Sequence, residues 1–142
     1  MKHILLSILI TAIITTFAIA QNIPNAAGML PKNVQSFIQQ HFKDANVMYT
    51  EYDDDDFEVR LSNGVKIEFY INGEWKEIKA YGNPLPNSLL PTPVLNTLKK
   101  QFPNATVFKV EKEWNGYEIS LNNMMKVFID GNGTFLGQKF DD

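Results

Sequence analysis

The sequence predicts an α+β fold: two tandem helix-plus-four-strand units (α-β-β-β-β) forming a joint antiparallel sheet, with the helices on one face. Three observations carry this expectation. The chain repeats itself at an offset of 60 residues. Each copy opens with Leu-Pro and an apolar stripe at helical spacing. Each then runs through short alternating segments punctuated by Asn and Gly.

The repeat needs no gap. Leu30, Pro31, Val34, Phe42, Ala45 and Val47 meet Leu90, Pro91, Val94, Phe102, Ala105 and Val107. Further on, Glu58, Leu61, Asn63, Lys66, Asn72, Gly73 and Lys79 meet Glu118, Leu121, Asn123, Lys126, Asn132, Gly133 and Lys139. Self-similarity at one fixed register marks a duplicated structural unit. The expected organisation is a first repeat over 30–81, a linker over 82–89 and a second repeat over 90–142.

In the first copy, Val34, Phe37, Ile38, His41 and Phe42 fall on one helical stripe. In the second, Val94, Leu95, Leu98 and Phe102 do so, and Pro103 ends the helix. Such short helices need a sheet to cover their apolar side. "ANVMYTEY" and "ATVFKVEK" supply a first strand in each copy, rich in β-branched and aromatic residues. Next, "FEVRL" and "YEISL" alternate strictly, as do "VKIEFYI" and "MKVFI", and "EWKEIKAY" and "TFLGQKF" close the copies. Asn63-Gly64 reads as a two-residue hairpin turn with positive φ at both positions. Asn72-Gly73 and Gly131-Asn132-Gly133 mark later turns.

The N-terminus reads as a secretory signal peptide over 1–20. Lys2 begins it, Ile4 to Phe17 is almost wholly apolar, and Ala18-Ile19-Ala20 suits cleavage after Ala20. Residues 21–29 form a short N-terminal segment. The full chain carries a net charge of -3, and removal of 1–20 takes away Lys2 and no acid, giving -4. That balance argues against nucleic acid as a partner. No second long apolar run follows, so no membrane partner is expected after cleavage. The chain has no cysteine, which excludes disulfides, thiolate metal sites and lipid attachment at a cysteine.

The opening "LPKNVQSFIQQHF", the acidic stretch from Tyr52 to Gly64 with "FEVRL" inside it, and "IEFYINGEWKEI" at 67–78 together resemble the PepSY-like, beta-lactamase-inhibitor-like domain of secreted bacterial proteins. The second copy departs from that pattern. It has Met124-Met125 where the first has Gly64-Val65, and Phe135 where the first has Trp75. The resemblance implies tandem units joined in one sheet, export, and a binding or inhibitory role. Beta-lactamase inhibitor proteins of similar shape hold an enzyme against their sheet.

Candidate chemistry is sparse. His41 is the lone histidine after the signal, and no nucleophile motif accompanies it. Glu58 and Glu68 sit on neighbouring strands, but Arg60 and Lys66 beside them read as ion-pair partners rather than as parts of a glycosidase. Asp53, Asp54, Asp55 and Asp56 are a weak calcium candidate. They align with Glu113-Trp114-Asn115-Gly116, which makes the position a turn first. No cofactor is expected. If the apolar side of each strand meets the helices, the other side carries Glu58, Arg60, Lys66, Glu68, Tyr70 and Phe128. Trp75 is grouped with them as a binding surface, for aromatics among charges suit protein recognition. The expected function is an exported, periplasmic or secreted, non-enzymatic module with a protein partner, acting as inhibitor or regulator of an envelope or secreted enzyme. A structural or stress-related envelope protein and a calcium-dependent binder are the alternatives.

Overall fold

A computed structural model describes residues 29–141. The signal peptide expected over 1–20 lies outside the described residues. The helix α1 (Lys32–His41) leads into β1 (Val47–Tyr52), β2 (Asp56–Leu61), β3 (Val65–Tyr70) and β4 (Trp75–Ala80). A 3-10 turn at Asn87–Leu89 precedes α2 (Thr92–Gln101), β5 (Val107–Glu113), β6 (Gly116–Leu121), β7 (Met125–Asp130) and β8 (Phe135–Phe140). The eight strands form one sheet in chain order, every neighbouring pair antiparallel. Each element of the second half starts 60 residues after its counterpart.

Pro31 and Pro91 stand just before the two helices, where a missing N–H costs nothing. Their carbonyls accept the first helical bonds, from Gln35 N at 3.0 Å and Leu95 N at 2.9 Å. Val34 and Ile38 of α1, and Val94 and Leu98 of α2, are buried against one face of the sheet. Asn33 of α1 donates to the Asn72 carbonyl in the β3–β4 turn. Thr97 of α2 donates to the Gly133 carbonyl in the β7–β8 turn. Gly133, at φ +88°, leaves no room for a side chain: a Cβ there would stand 2.6 Å from the Pro93 carbonyl oxygen.

Beneath the helices runs a row of six β-branched residues, one per inner strand. Val59, Ile67, Ile78, Val110, Ile119 and Val127 are paired in register from β2 to β7. All are 0 % exposed. Fully burying each contributes roughly 1.5–3 kcal/mol. The row crosses the β4–β5 joint at Ile78 and Val110 without a break, so both halves share one core.

The hairpin after β2 corrects one expectation. Positive φ falls on Gly64 alone (φ +81°), not on Asn63. Gly64 N bonds to the Leu61 carbonyl at 3.1 Å, and the Asn63 side chain accepts from Val65 N at 3.2 Å. The connection is therefore a three-residue loop closed by a left-handed residue. The second copy builds the same loop with Met124, at φ 61°, in the glycine's place.

Candidate functional site

The sheet face turned away from the helices is the candidate site. Side chains alternate across a strand, so the neighbours of the buried row point outward on either side of it. On one side stand Glu51, Glu58, Glu68, Glu77, Glu111 and Glu118, paired in register from β1 to β6. Phe128 and Gly137 complete that line on β7 and β8. On the other side stand Arg60, Lys66, Lys79, Lys109, Ser120, Lys126 and Lys139, from β2 to β8. Tyr49 begins this line on β1. An acidic stripe and a basic stripe thus cross the sheet side by side, about 7 Å apart.

Like charges directly opposite one another destabilise a sheet. Here most charges of each stripe are paired with charges of the other. Glu58 pairs with Arg60 and Lys66, and Lys66 also holds Glu68 at 2.7 Å. Lys109 holds Glu77 and Glu111, each at 2.8 Å, across the joint between the halves. Lys126 pairs with Glu118 at 3.0 Å and with Asp141 at 3.1 Å. Partial burial pushes Lys66 and Lys109 toward the neutral amine, but the hydrogen bonds they donate to their glutamates, with the glutamates' negative charge, outweigh it and raise both above the ordinary lysine value. Burial likewise pushes Glu58 up, and the hydrogen bonds from Arg60 and Lys66 outweigh that and hold its carboxyl low.

Six of the seven residues expected on the outward surface are there: Glu58, Arg60, Lys66, Glu68, Tyr70 and Phe128. Tyr70 is 41 % exposed, with Lys76 near its ring. Phe128 is half-buried, lying opposite Gly137 with Lys139 over its ring at 5.3 Å. The two aromatics do not form one patch. They are four strands apart, roughly 19 Å.

Trp75 is the correction. It is 9 % exposed and faces the helices, 6.4 Å from Phe37 of α1. A β-bulge explains this. Glu68 pairs with Glu77 but Phe69 pairs with Trp75, so Lys76 is the extra residue and the alternation changes phase there. Tyr52 and Phe140 also sit on the helix side by register, opposite Phe57 and Met125.

Asp53, Asp54 and Asp55 occupy the tip between β1 and β2, and Asp56 begins β2 and pairs with Lys76 at 3.2 Å. Among the described residues no group of three or more acidic or histidine side chains converges as a metal site. Glu51, Asp53, Asp56, Glu58 and Glu68 do border a hollow of about 220 Å³ at that end of the open face. His41 lies 3.0 Å from the Ser88 hydroxyl, which ties the end of α1 to the 3-10 turn. Its ring packs tilted against Phe37, with centroids 4.7 Å apart, and partial burial lowers its pKa. No carboxylate orients it among the described residues.

Glu77, Lys79, Lys109, Glu111 and Glu118 lie outside the binding surface expected from the sequence, although a signal for them exists. The inner strands carry Glu-Val-Arg, Lys-Ile-Glu, Glu-Ile-Lys, Lys-Val-Glu, Glu-Ile-Ser and Lys-Val-Phe in turn. The order of charge reverses from strand to strand. Antiparallel pairing turns that reversal into two uniform stripes.

The description "Putative beta-lactamase-inhibitor-like, PepSY-like" fits a family whose profile matches residues 18–67 and again 55–137. The chain belongs to this PepSY-like family. Among solved structures, a putative periplasmic protein of unknown function from Bacteroides vulgatus is 28 % identical with a TM-score of 0.73, covering 79 % of this chain and 93 % of that one. A second B. vulgatus periplasmic protein, of the DUF2874 family, is 28 % identical with a TM-score of 0.70 and coverage of 79 % and 91 %. A protein from Bacteroides thetaiotaomicron described as a putative calcium-regulated periplasmic protein is 28 % identical with a TM-score of 0.73, again covering 79 % and 91 %. No curated protein matches the chain.

Proposed function

We propose that this chain is an exported, non-enzymatic protein-binding module built from two α-β4 units, and that it inhibits or regulates an enzyme of the envelope or the extracellular space. The observation that carries the reading is the open sheet face. Among the described residues no helix covers it, it spans both halves without interruption, and its aromatic groups stand roughly 19 Å apart across a field of charge. A span of that size suits a folded protein surface better than a small substrate. Because Glu58, Lys66, Glu68, Glu77, Lys109, Glu111, Glu118 and Lys126 are already paired with one another, contact over them need not strand a buried ion. Family membership and the periplasmic descriptions of the solved relatives support export and an inhibitor-like role.

The test is affinity capture from an envelope extract with the wild-type protein and with a Tyr70→Ala, Phe128→Ala double variant, followed by assay of the captured enzyme. Loss of the partner in the double variant and a lower activity of the captured enzyme support the proposal. Equal capture by both proteins refutes the assigned face, and unchanged enzyme activity refutes the inhibitory role.

A second reading is calcium-dependent binding at Asp53, Asp54, Asp55 and Asp56; the carboxylate-bordered hollow, which Asp53 and Asp56 line, and the description of the B. thetaiotaomicron relative favour it. Thermal melting with millimolar calcium decides it, and an unchanged midpoint removes it.

A further inference from the structure

Where β2 turns into β3, beside the basic stripe, one corner of the open face differs from its counterpart in the second copy. In the second copy Asp141 follows β8. Its N–H bonds to the Met124 carbonyl at 2.8 Å, and its carboxylate lies 3.1 Å from the Lys126 ammonium. In the first copy Tyr81 stands in that place, and its N–H bonds to the Gly64 carbonyl at 3.1 Å. The backbone is matched, but the carboxylate is missing. Arg60, Lys66 and Tyr81 border a hollow of about 150 Å³ there, together with Leu61, Gly64 and Val65. No acidic residue lines it. Arg60, Lys66 and Lys79 bring three cations to this corner, and the carboxylates of the open-face stripe paired with them among the described residues are two, Glu58 and Glu68. Glu77, on the same strand as Lys79, is held by Lys109. At the matched positions of the second copy, Lys126 and Lys139 stand beside Ser120, and the carboxylates paired there are Glu118 and Asp141. The second corner is therefore balanced by the chain's own Asp141, and the first keeps one positive charge in excess.

We propose that this hollow takes the side-chain carboxylate of an aspartate or glutamate on a loop of the protein partner, which rests on the open face being the side that meets the partner. The incoming carboxylate fills the place that the Asp141 side chain fills in the second copy. Arg60 is its main donor. The Arg60 side chain is 60 % exposed and bonds to Glu58 through Nε, which leaves both terminal nitrogens to hold a second carboxylate. Lys79 adds its charge from the rim, with its ammonium 5.1 Å from the centre of the Tyr81 ring and no carboxylate partner among the described residues. A cationic side chain is repelled by the same excess, so the corner also fixes which way round the partner docks.

The probes are a doubly blocked Gly-Asp-Gly peptide and its Gly-Asn-Gly counterpart, titrated into isotope-labelled protein while backbone amide shifts are followed by NMR. The aspartate peptide is expected to shift Gly64 and Tyr81 saturably, and the asparagine peptide to bind about tenfold or more weakly. Tyr81→Asp installs the second copy's own carboxylate without removing a cation. It is expected to abolish the response and to weaken capture of the partner from an envelope extract. Asp141→Ala empties the second corner and is expected to gain a response at Met124. Arg60→Gln loses the response at Gly64, and Arg60→Lys keeps part of it. Equal binding of the two peptides overturns the proposal, as does no saturable shift at Gly64. A full response or equal capture in Tyr81→Asp overturns it too, as do unchanged Met124 shifts in Asp141→Ala. The Tyr70→Ala, Phe128→Ala variant binds the aspartate peptide as wild type does. A silent peptide with capture still lost in that double variant strikes this proposal alone. A normal peptide response with equal capture by the double variant strikes the open-face reading instead.

Discussion

The joint at the middle of the sheet and the two strands at its edges are built on one plan, yet they are filled differently. At the joint, β4 meets β5 through Ile78 and Val110, both fully buried, with Glu77 opposite Glu111 and Lys79 opposite Lys109. The counterparts of β4 and β5 at a distance of 60 residues are β8 and β1, the edges of the sheet among the described residues. There the central positions are Gln138 and Thr50, and the flanking ones Gly137, Glu51, Lys139 and Tyr49. A third unit could not be added with the same bond, because the apolar pair that seals the joint is absent at both ends. Polar edge residues also discourage pairing with other chains. Within the described residues the two halves share one core.

That contrast can be broken at the core row first. Ile78→Ala is expected to destabilise the protein by about 2–5 kcal/mol, the usual range for a buried isoleucine truncated to alanine. Gln138→Ala, in the same row on the exposed edge, should change stability by less than about 0.5 kcal/mol. Urea denaturation measures both, and similar losses at the two positions would erase the distinction between joint and edge.

Lys109→Met comes next. It leaves Glu77 and Glu111 facing each other with their shared cation gone, at an expected cost of about 1–2 kcal/mol. Lys139→Met, on the edge strand and without an ion pair among the described residues, should cost less than about 0.5 kcal/mol. The two hairpins that close β2 and β6 sharpen the comparison of the copies. Met124→Gly relieves a left-handed side-chain residue and should stabilise by up to about 1 kcal/mol, whereas Gly64→Ala should destabilise by about 1 kcal/mol. Chemical denaturation of the pair checks the opposite signs.

The smallest effect is the pH dependence of the stripes. Folding lowers the pKa of Glu58, so its contribution is intact above the ordinary 4.5 and is lost as pH falls through the folded value. Folding raises that of Lys66, so its contribution is intact below 10.5 and is lost as pH rises through the folded value. Midpoints followed across both ranges should fall at each end, and less so at the acid end in a Glu58→Gln variant.

The sequence shows the repeat, the helices and the strands because period and register survive in single residues such as Val34 and Val94 or Glu58 and Glu118. It also shows which strand residues face outward, up to the bulges. Trp75 was misplaced because one extra residue at Lys76 inverts the alternation, and a bulge leaves no mark in the composition of a strand. The bulges at β1 and β5 act in the same way, putting Val47 and Val107 inside while Tyr49 and Lys109 face out. The stripes were in view strand by strand but become stripes only through cross-strand pairing. The contact of the Lys112 ammonium with the Trp75 ring joins the two halves, and no local pattern encodes it.

The most direct test of the open face as the functional side is site-specific photo-crosslinking in an envelope extract. One photoreactive residue is placed at Lys79, in the middle of that face and outside the ion pairs among the described residues, and another at the exposed Gln39 on α1. The expected result is a discrete crosslinked partner from position 79 and none from position 39. The same partner from position 39 alone, or equally from both positions, would contradict it.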